Sequence, residues 1–367
     1  MEVVEAGQLH QPMRRAWTIA VLLALIALAA QGASPALAKR GFFGVHYGAG
    51  KVGKKNLNLM DKGNVGTVRK VLYWNSIEVR KGTYAWAATD ALVGNLAARG
   101  ISMLPVVYGS PRFVTKQPNV PPVASAHKRK LFRKFLTQAV KRYGKGGTYW
   151  TAPKLYRKQH PGKRPRPIEN WQIWNEPNLA KFFAPHPSVH KYATLVKSAR
   201  RAIHGVDHKG NVILAGMSGR GHPSDKKFLN RFYRERRIKR SFDAVAVNPY
   251  APSVKQVGAK IKRIRGVMRR HGDKRTALWI SELGWGSHPP DRFGLNKGVQ
   301  GQKQILTKAF RMIVKHRRAW HVKRLIWFDF RDPPPTGGGC SFCTSAGLIQ
   351  HSGKTKPSWR AFKRFTH

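Results

Sequence analysis

Two β-rich runs of this chain end on a glutamate. In Trp171-Gln172-Ile173-Trp174-Asn175-Glu176-Pro177-Asn178 the run is stopped by proline, and in Leu278-Trp279-Ile280-Ser281-Glu282-Leu283-Gly284-Trp285 a second carboxylate closes another run. Period-two alternation puts Gln172, Trp174 and Glu176 on one strand face, and Leu278, Ile280 and Glu282 on one face of the other. Two inward carboxylates at one site are the minimum equipment for breaking a glycosidic bond. One protonates the leaving oxygen while the other attacks the anomeric carbon or activates water. Carboxyl groups ~5 to 5.5 Å apart imply nucleophilic attack with retention, and a wider gap implies inversion. A salt-bridged strand end is the competing account of either glutamate alone, because the chain has 69 Lys and Arg against 16 Asp and Glu. Taken as a pair, flanked by Trp174, Trp279 and Trp285, they read as catalytic.

Both glutamates need a scaffold that brings distant strand ends together. Short β-rich runs alternate with helical patterns, the arrangement that implies a parallel sheet. The strands are expected at Phe42 to Gly48, Val68 to Trp74, Ser102 to Tyr108, Trp171 to Asn175, Asn211 to Ala215, Ala244 to Asn248, Ala277 to Glu282 and Leu325 to Phe330. Helices are expected at Thr89 to Arg99, Ala126 to Tyr143, His190 to His204, Lys226 to Arg236, Val254 to Arg270, Gln300 to Val314 and Pro357 to Phe365. Eight such strands predict an α/β fold, a single-domain (β/α)8 TIM barrel over residues 39–367, whose active site is built at the C-terminal strand ends. Glu176 and Glu282 then sit at the mouth, on strands four and seven. Residues 144–167, rich in Pro, Gly and basic side chains, read as a long loop ahead of strand four.

The Trp-Asn-Glu-Pro-Asn of residues 174–178 and the Ser-Glu-Leu-Gly-Trp of residues 281–285 resemble the acid/base and nucleophile motifs of clan A glycoside hydrolases, and within that clan the cellulase-like and family 39 (β-xylosidase-like) members. The likeness extends to Val68-Arg69 through Glu78 at strand two, Asn248-Pro249-Tyr250 at strand six and Trp327 to Asp332 at strand eight. It implies a retaining double displacement on a β-linked glycan, with Glu282 as nucleophile and Glu176 as acid/base. It also implies that Arg69 holds Glu282 ionised, that Asn175 hydrogen-bonds the sugar hydroxyl beside the reacting carbon, and that Tyr250 hydrogen-bonds the nucleophile. A packed strand-end aromatic is the other account of Tyr250. Trp327 is either a stacking platform for a sugar ring or core, and His46 either lines the mouth or is a buried structural histidine. Chemistry of this class uses no metal and no cofactor, and none is expected. His186 with His190 and His204 with His208 lack a third ligand, and neither a phosphate loop nor a dinucleotide fingerprint occurs.

The remaining features bear on where the molecule works. Arg14 and Arg15 precede an apolar run from Ala16 to Ala30 and an Ala36-Leu37-Ala38 cleavage pattern, so residues 1–38 read as a cleaved secretory signal rather than a membrane anchor. Cys340 and Cys343 are then expected to form a local disulfide, with a redox pair or half of a zinc site as the alternatives. The formal net charge of +53 must attract polyanions and predicts association with anionic cell-wall polymers or acidic glycans. The basic residues are dispersed over helix faces, so no nucleic-acid partner is expected. A non-catalytic cationic barrel that binds carbohydrate or cell wall, and a transglycosidase using the same two glutamates, remain open beside the hydrolase reading. Oligomeric state is not legible.

Overall fold

A computed structural model describes residues 41–48, 50–219, 221–334 and 340–367. The expected signal segment 1–38 lies outside the described residues. Nine strands follow in order: β1 Phe43–His46, β2 Thr67–Tyr73, β3 Ser102–Tyr108, β4 Asn170–Ile173, β5 Asn211–Leu214, β6 Met217–Ser218, β7 Ala244–Asn248, β8 Ala277–Leu283 and β9 Val322–Trp327. All pair in parallel, in the order β5-β4-β3-β2-β1-β9-β8-β7-β6, and a β5 to β7 pairing at Ile213 and Ala244 closes the ring. β5 and β6 together make one stave, so the sheet is the eight-stave barrel expected.

Helices cover its outside, labelled here α1 Lys54–Lys62, α2 Trp74–Ile77, α3 Ala87–Ala97, α4 Ala126–Tyr143, α5 Thr148–Thr151, α6 Tyr156–Gln159, α7 Val189–His204, α8 Asp225–Phe232, α9 Val254–Arg270, α10 Gly298–His316 and α11 Pro357–Thr366. α4 and α9 have the expected bounds because local chemistry marks their starts. Ser125 caps α4 by accepting from the Lys128 amide, and Ser253 with Gln256 forms a reciprocal capping box on α9. The apolar stripe of α4, from Leu131 and Phe132 to Tyr143, is buried, and its Lys and Arg residues lie between.

Three expectations are corrected. α1 was not anticipated, because Leu57 and Leu59 alternate like strand residues in a run of Lys and Asn; only one side of the helix, with Asn56, Leu57 and Met60, is buried. Residues 144–167 are not a plain loop. They carry α5 and α6, whose Tyr149, Trp150 and Tyr156 are buried in mutual edge-to-face contact. The phase read for strand seven is also inverted. Leu278, Ile280 and Leu283 belong to the large core shared with the helices, whereas Trp279 joins Leu104, Ile213, Ala244 and Ala246 in a small cluster made by strand residues alone, inside the barrel.

Candidate active site

Glu282 reaches the barrel mouth through a β-bulge. Ile280 pairs with Leu325 and Leu283 with Trp327, so three steps along β8 match two along β9. The extra residue breaks the alternation, and Ser281 and Glu282 both turn inward although they are consecutive. Glu176 is delivered by a different device. β4 ends at Ile173, and Trp174 and Glu176 then adopt positive φ of 70° and 34°, a tight turn rather than two more strand residues. Trp174 consequently leaves the Gln172 face and packs against Tyr108 and Phe183.

Arg69, 1% exposed on β2, is the hub between the two segments. Its Nη1 donates to Glu282 Oε1 at 2.6 Å, its Nη2 to Asn175 Oδ1 at 2.9 Å and its Nε to Gln172 Oε1 at 2.7 Å. A planar guanidinium can serve three acceptors in one plane where an ammonium cannot. Tyr250 donates to the other oxygen of the nucleophile candidate, Glu282 Oε2, at 2.9 Å. Burial first, and the nearby Glu282 and Glu176 charges second, push its phenol well above the ordinary range, so it remains a donor.

Glu176 has a different environment. Its carboxyl is buried with one side-chain partner, Asn248 Nδ2 at 3.0 Å to Oε1, and Asn248 is oriented by Ser281 Oγ donating to Asn248 Oδ1 at 2.8 Å. Burial, with the Glu282 charge as the next cause, raises the Glu176 pKa to about 8. Gly216 makes the Asn248 and Ser281 pair possible. A Cβ there would stand 2.2 Å from Asn248 Oδ1 and 2.3 Å from Ser281 Oγ. Neither Gln172, Ser281 nor Gly216 was singled out for the site from sequence, and Asn248 was noted only as part of a strand motif. Their signal lay in being polar or small inside otherwise apolar strand runs.

The expected supporting residues divide. Arg69, Asn175 and Tyr250 converge on the glutamates. His46 is buried beside them, stacked on Phe328 at 4.9 Å. Its Nδ1 lies 3.5 Å from Asp329 Oδ2, an ion-pair separation without hydrogen-bond geometry, so that nitrogen is left without a hydrogen-bond partner. Trp327 is no sugar platform. It is fully buried among Trp285 and Phe310, and its indole donates to Ala346 O, because an outward strand position faces the helices. Trp285 likewise donates to Ala251 O and Trp174 to Phe182 O, so these indoles hold backbone. Trp279 is below the mouth, under Arg324. Phe328 is a half-buried aromatic at the mouth, edge-on to the equally half-buried Tyr250. Cys340 and Cys343 form the disulfide, with Cα atoms 5.2 Å apart, in a segment that seats Phe342 against Tyr250 at 5.2 Å. Among the described residues no cluster of three His, Cys, Asp or Glu side chains is placed to hold a metal ion.

No protein-family model and no curated protein matches the sequence. Solved structures do. A family 39 glycoside hydrolase from Bacteroides cellulosilyticus WH2 is 19% identical with a TM-score of 0.63, over 89% of this chain and 63% of that one. A monomeric β-xylosidase from Caulobacter crescentus CB15 is 19% identical with a TM-score of 0.64, over 89% and 68%. The barrel is the one these enzymes use. A GH5_18 protein from Streptomyces cattleya, solved in complex with GlcNAc, shares it at 13% identity and a TM-score of 0.64, over 89% and 80%. The chain spans less than two thirds of the first of these, and at such identities the likeness is one of fold.

Proposed function

We propose that this chain is a secreted retaining glycoside hydrolase that cleaves β-linked glycans, with Glu282 as nucleophile and Glu176 as acid/base. The observation that carries the reading is the opposite treatment of two carboxyl groups at one barrel mouth. Glu282 accepts hydrogen bonds from a guanidinium and a phenol, while Glu176 is buried with its pKa raised to about 8 and is neutral at pH 7. In the first step the Glu282 carboxylate attacks the anomeric carbon, the bond to the leaving oxygen breaks, and Glu176 gives that oxygen its proton. The resulting ester carries no charge on Glu282, so the repulsion that helped raise the Glu176 pKa disappears. Glu176 can then take a proton from water as that water attacks the anomeric carbon and releases Glu282. Asn175, fixed through its Oδ1 by Arg69, keeps its amide Nδ2 for the sugar hydroxyl next to the reacting carbon.

Xylosides, glucosides and mannosides are the first substrates to try, since β-xylosidase, glucosidase and exo-β-1,4-mannosidase are the named activities of structures with this barrel. The test is hydrolysis of a panel of aryl β-glycosides and β-linked oligosaccharides by the wild type, Glu176→Gln and Glu282→Gln. The reading predicts anomeric retention in the product and loss of turnover in Glu282→Gln. For Glu176→Gln it predicts that substrates with poor leaving groups suffer most, because activated aryl groups need no protonation. Turnover unchanged in both variants would sink the assignment.

A further inference from the structure

The mouth lies at the C-terminal ends of the strands. At the other end, a cavity of about 470 Å³ opens between the last turns of α7 and the segment leading into β7, lined by Lys197, Arg200, Arg201, Arg236, Arg237 and Arg240 with Ser241. Six of its seven lining residues are basic, against 69 in the 367 residues of the whole chain, so composition alone does not account for it. Only Arg200 has a carboxylate partner among the described residues, Asp243 Oδ2 at 2.6 Å. The nearby Glu235 is turned to His190 instead. The partial negative charge at the C-terminal end of α7 offsets only about half a unit of charge, against six cations gathered around the opening. Arg237 adopts a left-handed conformation, φ 56° and ψ 22°, where glycine would be the ordinary choice.

Like charges gathered around one concavity repel unless something anionic enters it. We infer that this cavity is an anion-binding site for the phosphate groups of a flexible polyanion. Guanidinium forks match phosphate oxygens in pairs, and a tetrahedral phosphate directs its oxygens to forks on several sides of a concavity, where a planar carboxylate offers two oxygens in one plane. A concave opening admits a single flexible chain or a small phosphate ester; a duplex nucleic acid, whose phosphates line a convex rod, does not fit it. Because the cavity and the mouth are at opposite ends of the barrel, a polymer held here leaves the glutamates open. The inference does not depend on the glycosidase reading, and its test reads binding rather than turnover.

The full chain is titrated calorimetrically, at fixed ionic strength, with inorganic tripolyphosphate, a glycerol-phosphate oligomer and oligogalacturonate. Two triple variants are compared: Arg201→Gln with Arg237→Gln and Arg240→Gln, and Lys130→Gln with Lys134→Gln and Lys141→Gln on α4. All six residues are exposed and both variants lose the same charge. The expected result is that the cavity variant binds both phosphate probes at least about tenfold more weakly while the α4 variant changes less than about twofold. Equal losses in the two variants would mean diffuse attraction by net charge and overturn the site. So would a cavity variant that weakens only for oligogalacturonate.

Discussion

A carboxyl group kept neutral at pH 7 has thermodynamic as well as chemical consequences. The Glu176 pKa is raised to about 8, chiefly by burial, from an unfolded value near 4.5. Below pH 4.5 both states are protonated and the residue costs nothing; between pH 4.5 and 8 the unfolded chain ionises first, so stability falls as pH rises through that window. Glu176→Gln removes the penalty while keeping an acceptor for Asn248. Its melting temperature should exceed the wild type's by a margin that is small at pH 4.5 and grows to on the order of 2 °C or more by pH 8. If Glu176 is the acid, as proposed, the same proton sets the alkaline limb of kcat/KM, which should fall through about pH 8. Tyr250→Phe tests the other carboxylate. The ring contacts with Phe328 and Phe342 survive, and only the hydrogen bond to Glu282 is lost. A hydrogen bond to a charged group is worth about 1.5 to 3 kcal/mol, so turnover should drop about 10- to 100-fold and the melting temperature should fall with loss of the same bond from the resting site. A tyrosine that is merely packing would leave turnover intact.

At the scale of elements, the site depends on close approaches that admit few alternatives. Gly216, between β5 and β6, is the clearest. Gly216→Ala pushes a methyl into Asn248 and Ser281 and should cost about 1 to 3 kcal/mol in a denaturant titration. Asn248 lowers the Glu176 pKa through its hydrogen bond, so displacing it should also move the alkaline limb upward. A variant with unaltered stability and profile would show that Asn248 is not held by this contact. What the sequence disclosed follows the same line. Strand and helix alternation, and the Ser caps of α4 and α9, are local, so their positions were legible. The inward route of Glu282 was not, because a bulge depends on how β8 pairs with β9. Leu278 and Ile280 suggested the wrong face, although the glutamate does reach the mouth beside Arg69 and Tyr250. Trp327 stayed open between platform and core for a related reason: an aromatic at a strand end serves core or mouth according to its phase, and composition carries no phase. A strand with such a bulge has a parity that changes partway. Removing Ser281 restores regular pairing with Glu282 still in the inward phase, but it takes away the hydroxyl that orients Asn248 and sets Glu282 one residue lower on the strand, so turnover should fall in a barrel that still folds.

The whole molecule carries a formal net charge of +53, and its self-repulsion opposes folding. Screening shortens the range of that repulsion, from a Debye length of about 30 Å at 0.01 M salt to about 8 Å at 0.15 M. The melting temperature should therefore rise over that interval; one that falls would mean that attractive pairs such as Arg200 with Asp243 outweigh the net repulsion. The closed ring itself is uneven. β2 and β3 share seven register pairs, whereas the stave made of β5 and β6 meets β7 at three, Ile213 with Ala244, Met217 with Val247 and Ser218 with Asn248. Backbone amides on either side of that seam should exchange with deuterium ahead of those in β2 and β3. The seam takes in Asn248 and passes Gly216, which support Glu176, and lies away from Arg69, which supports Glu282. The two glutamates thus stand on unlike mountings: one at a strand bulge, gripped by a guanidinium and a phenol, and the other on a turn, gripped by a single amide at the edge of the seam.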